Sequence, residues 1–230
     1  MFNLRVLVFN SWLFAAGSCI GSFFSLLISR WLTQREVVFT PSACDCCQQP
    51  LAYYDLCPIL GYWQQHGRCR YCNHAISPIS LQAELIGGLV CCWLWQIKWF
   101  LQPIDYWLLL WLFLMALLDQ QTGFVYQGLL NCVVAGSLII LFPYQMSQVI
   151  QPLILYLCLW LLQKWQHNLG SADLIWLALL LFSHDFTWLL KIVLLSNLLV
   201  VSHALFKQKQ QQRIPYLPYL FISYLLVPLL

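Results

Sequence analysis

Charged residues are scarce in this chain. Only 8% of its 230 residues are Asp, Glu, Lys or Arg, whereas 61% are apolar. A soluble domain carries about a quarter charged residues, and a disordered chain combines low hydrophobicity with high charge. Eleven Lys and Arg against eight Asp and Glu leave a net charge of +3, too little for the dense basic face of a nucleic-acid-binding protein. The composition therefore predicts an integral membrane protein and no nucleic-acid partner.

Apolar runs take the place of charge. A helix needs about 20 mainly apolar residues to cross a bilayer, and the pattern predicts an all-α polytopic membrane protein with about eight transmembrane helices. The predicted spans are approximately 6–29, 82–101, 104–119, 124–143, 146–163, 171–184, 186–205 and 215–230. The first is predicted to be an anchored helix and not a cleaved signal peptide, because apolar sequence continues past Cys19 to Ile28. Gly17 and Gly21 in it predict close helix packing.

The few cations are distributed unevenly between the two sides of the membrane. With eight spans, Arg5 and Lys98 fall on one side, and Lys191 lies within a span. The opposite side receives Arg30, Arg35, Arg68, Arg70, Lys164, Lys207, Lys209 and Arg213. The positive-inside rule makes that side cytoplasmic. We therefore expect three regions: a first transmembrane helix over 1–29, a cytoplasmic loop module over 30–81 and a transmembrane bundle over 82–230.

The loop module contains two CxxC pairs, Cys44 with Cys47 and Cys69 with Cys72, separated by 21 residues. Two such pairs can surround a tetrahedral zinc ion with four thiolates. A disulfide framework is not expected in a reducing cytoplasm, so the spacing predicts structural zinc. Three further residues stay open as competing ligands, namely Cys46, Cys57 and His74.

Acidic residues near membrane spans are costly and are candidates for function. Asp105 and Asp185 fall at outward-facing ends and are predicted to be solvated; Glu84 is predicted to open the second span, where the helix N-terminus accommodates it. By contrast, Asp119 closes the third span and Asp173 opens the sixth, both at the cytoplasmic face. Two adjacent carboxyl groups can activate water as in aspartic proteases. The alternative interpretation is a helix-start residue and an unrelated loop carboxylate.

Three blocks of the chain resemble the type IV prepilin peptidase family. The first is Gly21-Ser22-Phe23, and the second runs from the double CxxC through Gly67-Arg68-Cys69-Arg70 to Glu84-Leu85. The third comprises the two aspartate motifs, Leu118-Asp119-Gln120-Gln121-Thr122-Gly123 and Gly170-Ser171-Ala172-Asp173. The resemblance implies that Asp119 and Asp173 are the catalytic pair and that Cys44, Cys47, Cys69 and Cys72 are the four-cysteine motif.

What the resemblance implies for activity is specific. The substrate would be a prepilin or pseudopilin with a short basic leader ending in Gly, cleaved at the cytoplasmic face of the bacterial cell membrane. Many members also methylate the new N-terminus with S-adenosylmethionine, for which no residue here can be named. The compact length and relaxed motifs are similar to the competence-pilin branch of Gram-positive bacteria. Three positions depart from the family pattern: Ala172 replaces a glycine, Ile175 a frequent lysine, and Val125-Tyr126-Gln127 a proline-containing motif.

Two other classes of function remain open. A membrane thiol oxidoreductase would use the CxxC pairs for redox exchange, although it leaves the two aspartates unexplained. A non-enzymatic assembly scaffold or transporter would use the acids to bind cations or relay protons, together with Lys164, His167 or Lys191. The oligomeric state does not follow from the sequence.

Overall fold

The computed structural model describes residues 4–36, 39–97, 102–141, 147–166, 170–206 and 214–229. These residues form nine α-helices and a final 3₁₀ turn. The helices are α1 (Leu4–Leu32), α2 (Leu60–Gln64), α3 (Pro78–Ile97), α4 (Pro103–Thr122), α5 (Gln127–Leu141), α6 (Ser147–Gln166), α7 (Ser171–Ser183), α8 (Phe186–Phe206) and α9 (Leu217–Leu226). Five residues used for the predicted topology or its alternatives lie outside the described part: Lys98, His167, Lys207, Lys209 and Arg213.

The predicted membrane class is confirmed, since the described residues are predominantly helical and several helices are long and apolar. Four helices, α1, α3, α4 and α8, have the length and composition to cross a membrane. Three shorter apolar helices correspond to α5, α7 and α9. Every predicted span overlaps one α-helix. The number of membrane crossings, about eight from length and hydropathy, stays a prediction.

The chain comprises two compact units, Met1–Trp99 and Phe100–Leu230. In the first unit α1 and α3 pack at very short range. A Cβ added at Gly17 would overlap the carbonyl oxygen of Gly87, and one at Gly21 would overlap that of Ala83. Because the order of these contacts reverses along the two helices, α1 and α3 are antiparallel. The close packing predicted for the two glycines is therefore confirmed.

In the second unit α4 forms the centre and packs against α7 and α9. The Trp176 indole N–H in α7 points to the Met115 sulfur at 3.3 Å, and Phe221 in α9 stacks on Phe113 with ring centroids 5.4 Å apart. α9 starts beside the C-terminal end of α4, where its first residue, Leu217, donates to Asp119. α7 starts there too, since Trp176 near its beginning contacts Met115, one turn before Asp119. They are thus antiparallel to α4, which brings one end of each of the three helices together.

Candidate functional site

The structure gathers four cysteines of the loop module into one cluster. The Sγ atoms of Cys44, Cys47, Cys69 and Cys72 all lie within 4.8 Å of one another. Across the two CxxC pairs, Cys44 and Cys72 are 3.7 Å apart and Cys47 and Cys69 are 4.0 Å apart. A tetrahedral zinc site with Zn–S bonds of about 2.3 Å has S···S edges of about 3.8 Å. The cluster thus has the dimensions of a four-thiolate zinc site.

The two halves of the cluster are built alike. In the first, the Cys44 backbone N–H donates to Gln49 O and the Gln48 N–H donates to Cys44 O; in the second, Cys69 and Asn73 make the equivalent bonds, with His74 O accepting from Cys69. Gln48 and Asn73 both have positive φ, at 58° and 60°. Short bridges close each turn, between Ala43 and Pro50 and between Arg68 and Ala75. This repeat at an offset of 25 residues was not predicted from the sequence.

Backbone N–H groups and neighbouring thiols shift the pKa of two cluster cysteines in opposite directions. The backbone N–H groups of Cys72 and Tyr71 are the main cause that lowers the pKa of Cys69 to about 7. At Cys47 the Gln49 backbone N–H lowers the thiol pKa, but desolvation and hydrogen bonds with the other three thiols outweigh it and raise the pKa to about 12. Zinc binds thiolates, so zinc binding would release the protons of these thiols. The affinity of the cluster for zinc would therefore fall as the pH falls.

The predicted alternative ligands lie outside this cluster. Cys46 and Cys57 are exposed, and neither belongs to the group of cysteines within ligand distance. His74 takes part through its backbone carbonyl, which accepts from Cys69. Among the described residues, the four cysteines of the two CxxC pairs are therefore the group of side chains at metal-ligand distance.

Glu84 differs from its prediction. It lies in the second turn of α3 and not at its start, and its side chain is only 7% exposed. One carboxylate oxygen accepts from Ser22 of α1 at 2.8 Å, and the other accepts from the backbone N–H of Ile59 at 2.7 Å. Ile59 has φ of 64°, which is unfavourable for a β-branched residue. Glu84 thus links α1, α3 and the segment between the two CxxC pairs. Nothing in the sequence pattern predicted this link.

The two predicted aspartates lie at the same end of the second unit. Asp119 is in the last turn of α4 and Asp173 is in the first turn of α7, and both are partly exposed. The charge of Asp119 acts on Asp173, so the two carboxyl groups are electrostatic neighbours. Antiparallel packing of α4 and α7 brings the two aspartates to the same end of the unit, while their side of the membrane and their catalytic role stay predictions.

Local structure positions each aspartate. Gly123 ends α4 with φ of 66°, a left-handed conformation that glycine adopts without strain. At α7, the Asp173 carboxylate lies against the backbone of Gly170, where an added Cβ would be 2.9 Å from Asp173 Oδ2. The glycine leaves room for the carboxylate. Ala172 lies within α7, where alanine is the best helix former. Alanine in place of the family's glycine at this position therefore causes no backbone strain.

A third part of the site was missed by sequence reasoning. The backbone N–H of Leu217, at the start of α9, donates to Asp119 Oδ2 at 3.2 Å. Tyr216, just before α9, feels the charge of Asp173, and its hydroxyl is 2.7 Å from Ser196 Oγ of α8. Three helices therefore meet at the aspartates, and α8 contacts this site through Tyr216. Tyr216 falls inside the apolar segment predicted as the last span, and nothing in its spacing pointed to Asp119.

Asp105 contradicts the prediction of a solvated carboxylate. It is 0% exposed. Oδ1 accepts from the Tyr224 hydroxyl at 2.7 Å and lies 2.9 Å from His184 Nε2, and Oδ2 accepts from the Gln102 backbone N–H. The reason is that α7 and α9 end beside the start of α4 and bring His184 and Tyr224 to Asp105. Asp185, by contrast, is exposed as predicted.

The fold and the two clusters define a helical membrane protein with a four-cysteine module. Residues 15–97 match the family described as the bacterial peptidase A24 N-terminal domain. Three relatives are each named prepilin leader peptidase/N-methyltransferase. That of Myxococcus xanthus is 35% identical over 83 residues, covering 36% of this chain and 25% of the relative. The Klebsiella pneumoniae relative is 37% identical over 87 residues, which cover 35% of this chain and 38% of the relative. The Bacillus subtilis relative is 34% identical over 74 residues, which cover 32% of this chain and 30% of the relative.

These matches confirm the resemblance to the type IV prepilin peptidase family. The matched part of this chain spans less than two fifths of the length of each relative. No solved structure matches the chain significantly. The matched domain contains the four cysteines and Glu84, whereas the two aspartates lie beyond residue 97.

Proposed function

We propose that this protein is a membrane aspartic endopeptidase that removes the short basic leader of a prepilin or pseudopilin. Cleavage would follow the Gly that ends the leader and would occur at the cytoplasmic face of the bacterial cell membrane. The observation that carries the proposal is the pairing of Asp119 with Asp173 at one end of α4 and α7. The names of the relatives and the family match of residues 15–97 support the substrate class.

The chemistry follows from two neighbouring carboxyl groups with different partners. One carboxylate removes a proton from a water molecule, whose oxygen attacks the carbonyl carbon of the scissile bond. The partner carboxyl group holds the proton that the pair shares and gives it to the leaving amine when the C–N bond breaks. Partial exposure of both residues leaves water a path to them, which the fully buried Asp105 lacks.

Zinc has a structural role in this proposal. The four cysteines fit zinc in distance and in donor type, and a segment with little apolar core of its own gains order from a metal. The ion would hold the two cysteine turns together and take no part in peptide cleavage.

Methylation of the new N-terminus is a second activity in the proposal. It is favoured by the names of the three relatives, which include N-methyltransferase. S-adenosylmethionine would be the methyl donor. We assign no residue of this chain to it.

The test is to express the protein with a prepilin-like substrate and to follow loss of the leader by mass spectrometry. We expect the wild type to cleave, and Asp119→Asn and Asp173→Asn each to abolish cleavage while the protein stays folded in the membrane. Asp185→Asn is the matched control, because it removes an exposed carboxylate from the loop that follows α7. Full cleavage by either dyad variant would refute the mechanism. A change in thiol oxidation on substrate addition, without cleavage, would favour the oxidoreductase instead.

A further inference from the structure

We propose that Tyr216 is a positioning residue for Asp119, acting through a hydrogen-bonded connection between α8 and the start of α9. This inference rests on the proposed function, in which Asp119 is one of the two catalytic acids. The connection runs from the Tyr216 hydroxyl to Ser196 on α8, while the backbone at Tyr216 and Leu217 holds the Asp119 carboxylate.

The direction of the hydrogen bonds follows from the donors present. Ser196 is fully buried, and its Oγ lies 3.0 Å from Val193 O and 2.7 Å from the Tyr216 hydroxyl. A carbonyl oxygen only accepts, and a serine hydroxyl has a single proton. Ser196 therefore donates to Val193 and accepts from Tyr216. The phenolic proton of Tyr216 is committed to α8 and is not directed at the aspartates.

The other half of the connection is the backbone before and at the start of α9. Leu217 N–H donates to Asp119 Oδ2 at 3.2 Å, and the preceding Tyr216 N–H faces the same carboxylate. The first N–H groups of a helix have no partner within the helix. Asp119 supplies that partner from α4. With the Tyr216 side chain fixed on α8, these N–H groups are held at one position beside Asp119.

The arrangement assigns Tyr216 a role in orientation. Tyr216 directly precedes Leu217, whose N–H donates to Asp119, and it lies within range of the Asp173 charge. Its side chain donates to Ser196 and the next residue, Leu217, donates its backbone N–H to Asp119, so loss of the Tyr216 hydroxyl would loosen the start of α9 and with it the Asp119 carboxylate. A displacement of about 1 Å at a catalytic group costs about 10²-fold in rate.

The test compares Tyr216→Phe, Ser196→Ala and the double variant of the full chain, with kcat and KM measured on a prepilin-like substrate. Each single variant should lower kcat about tenfold with KM unchanged, within the about 10²-fold that misplacement can cause. The double variant should be no slower than the slower single variant, because both changes break the same connection. Tyr219→Phe is the matched control, since it removes a hydroxyl one turn further along α9, where the ring contacts His203, and it should stay within about twofold.

A second measurement does not depend on catalysis. Hydrogen exchange at the Tyr216 and Leu217 amides should be faster in Tyr216→Phe and in Ser196→Ala than in the wild type, and unchanged in Tyr219→Phe. A wild type that fails to cleave prepilin would refute the proposed function while leaving this exchange result to decide the connection. Unchanged exchange, a normal kcat in Tyr216→Phe, a loss confined to KM, or additive losses in the double variant would each overturn the inference.

Discussion

The cysteine cluster and the aspartate pair are assembled in different ways. The four cysteines come from one stretch, residues 44–72, and each half is closed by its own turn of the same design. Asp119 and Asp173 are 54 residues apart and become neighbours only because α4 and α7 pack antiparallel. The first cluster depends on local backbone geometry, whereas the second depends on the topology of a helical unit.

This difference separates the roles that we expect for the two regions. A closed set of four thiolates has the form of a structural metal site. The aspartates are partly exposed, and the hydrogen bond that Asp119 accepts comes from the Leu217 backbone N–H, so their carboxyl groups are accessible for reaction. Changes at the cysteines should therefore affect folding, and changes at the aspartates should affect the rate.

Loss of zinc should have the largest effect, because metal binding and folding are coupled in modules with little core. We expect Cys44→Ser to lower the zinc content of the purified full chain well below one per molecule and to make residues 39–76 sensitive to protease. Cys46→Ser is the matched control, since Cys46 is exposed and outside the cluster. Zinc retained in Cys44→Ser, or lost equally in Cys46→Ser, would contradict the four-cysteine assignment.

The aspartates should show the opposite behaviour. Asp119→Asn and Asp173→Asn should each reduce kcat by about 10²–10⁴-fold, or about 3–5 kcal/mol of barrier, with thermal unfolding in detergent nearly unchanged. Because the two acids act as a unit, the double variant should lose no more than the single variants. Single-turnover cleavage of a prepilin-like substrate gives the rates. Multiplicative losses in the double variant would show that the two residues act independently.

The cysteine cluster was easier to predict from the sequence than the aspartate pair, because its ligands lie close together in the chain. The CxxC spacing predicts the four ligands because each pair lies within one turn of the chain. The aspartate pair required span boundaries and the positive-inside rule as well. The same antiparallel arrangement could have revealed Asp105, since it lies 14 residues before Asp119, and His184 lies 11 residues after Asp173. Both intervals are about three to four helical turns, so a contact at one end predicts a contact at the other.

The bonds to Glu84 and Asp119 could not be predicted in this way. Glu84 accepts from the backbone of Ile59, and Asp119 accepts from the backbone of Leu217. Every residue except proline carries a backbone N–H, so residue type gives no indication of which one turns toward a buried carboxylate. Such contacts are decided by how a loop or helix end is placed on its neighbours, which is a property of the folded chain.

Asp105 tests whether the far end of α4 supports the aspartate pair structurally. Both of its carboxylate oxygens accept hydrogen bonds, one from the Tyr224 hydroxyl and the other from the Gln102 backbone N–H, and His184 Nε2 lies 2.9 Å from the first oxygen. In Asp105→Asn a donor amide replaces one acceptor and leaves a buried donor unpaired. We expect a loss of about 3 kcal/mol in stability, measured by thermal unfolding in detergent, with kcat of the folded fraction within about twofold of the wild type. An unaltered unfolding temperature would show that the buried network contributes little.

Asp185→Asn should have the smallest effect and completes the comparison at this end of the unit. Asp185 is exposed and immediately precedes α8, where its backbone carbonyl accepts from Trp188 and Leu189. Asn caps a helix about as well as Asp, so the change removes a charge while keeping the local bonds, and stability should stay within about 0.5 kcal/mol. Comparing the two variants in the same unfolding assay shows whether the loss of stability in Asp105→Asn comes from its burial. If the two variants were equally destabilised, charge at this end, and not the hydrogen-bonded network around Asp105, would be what the fold requires.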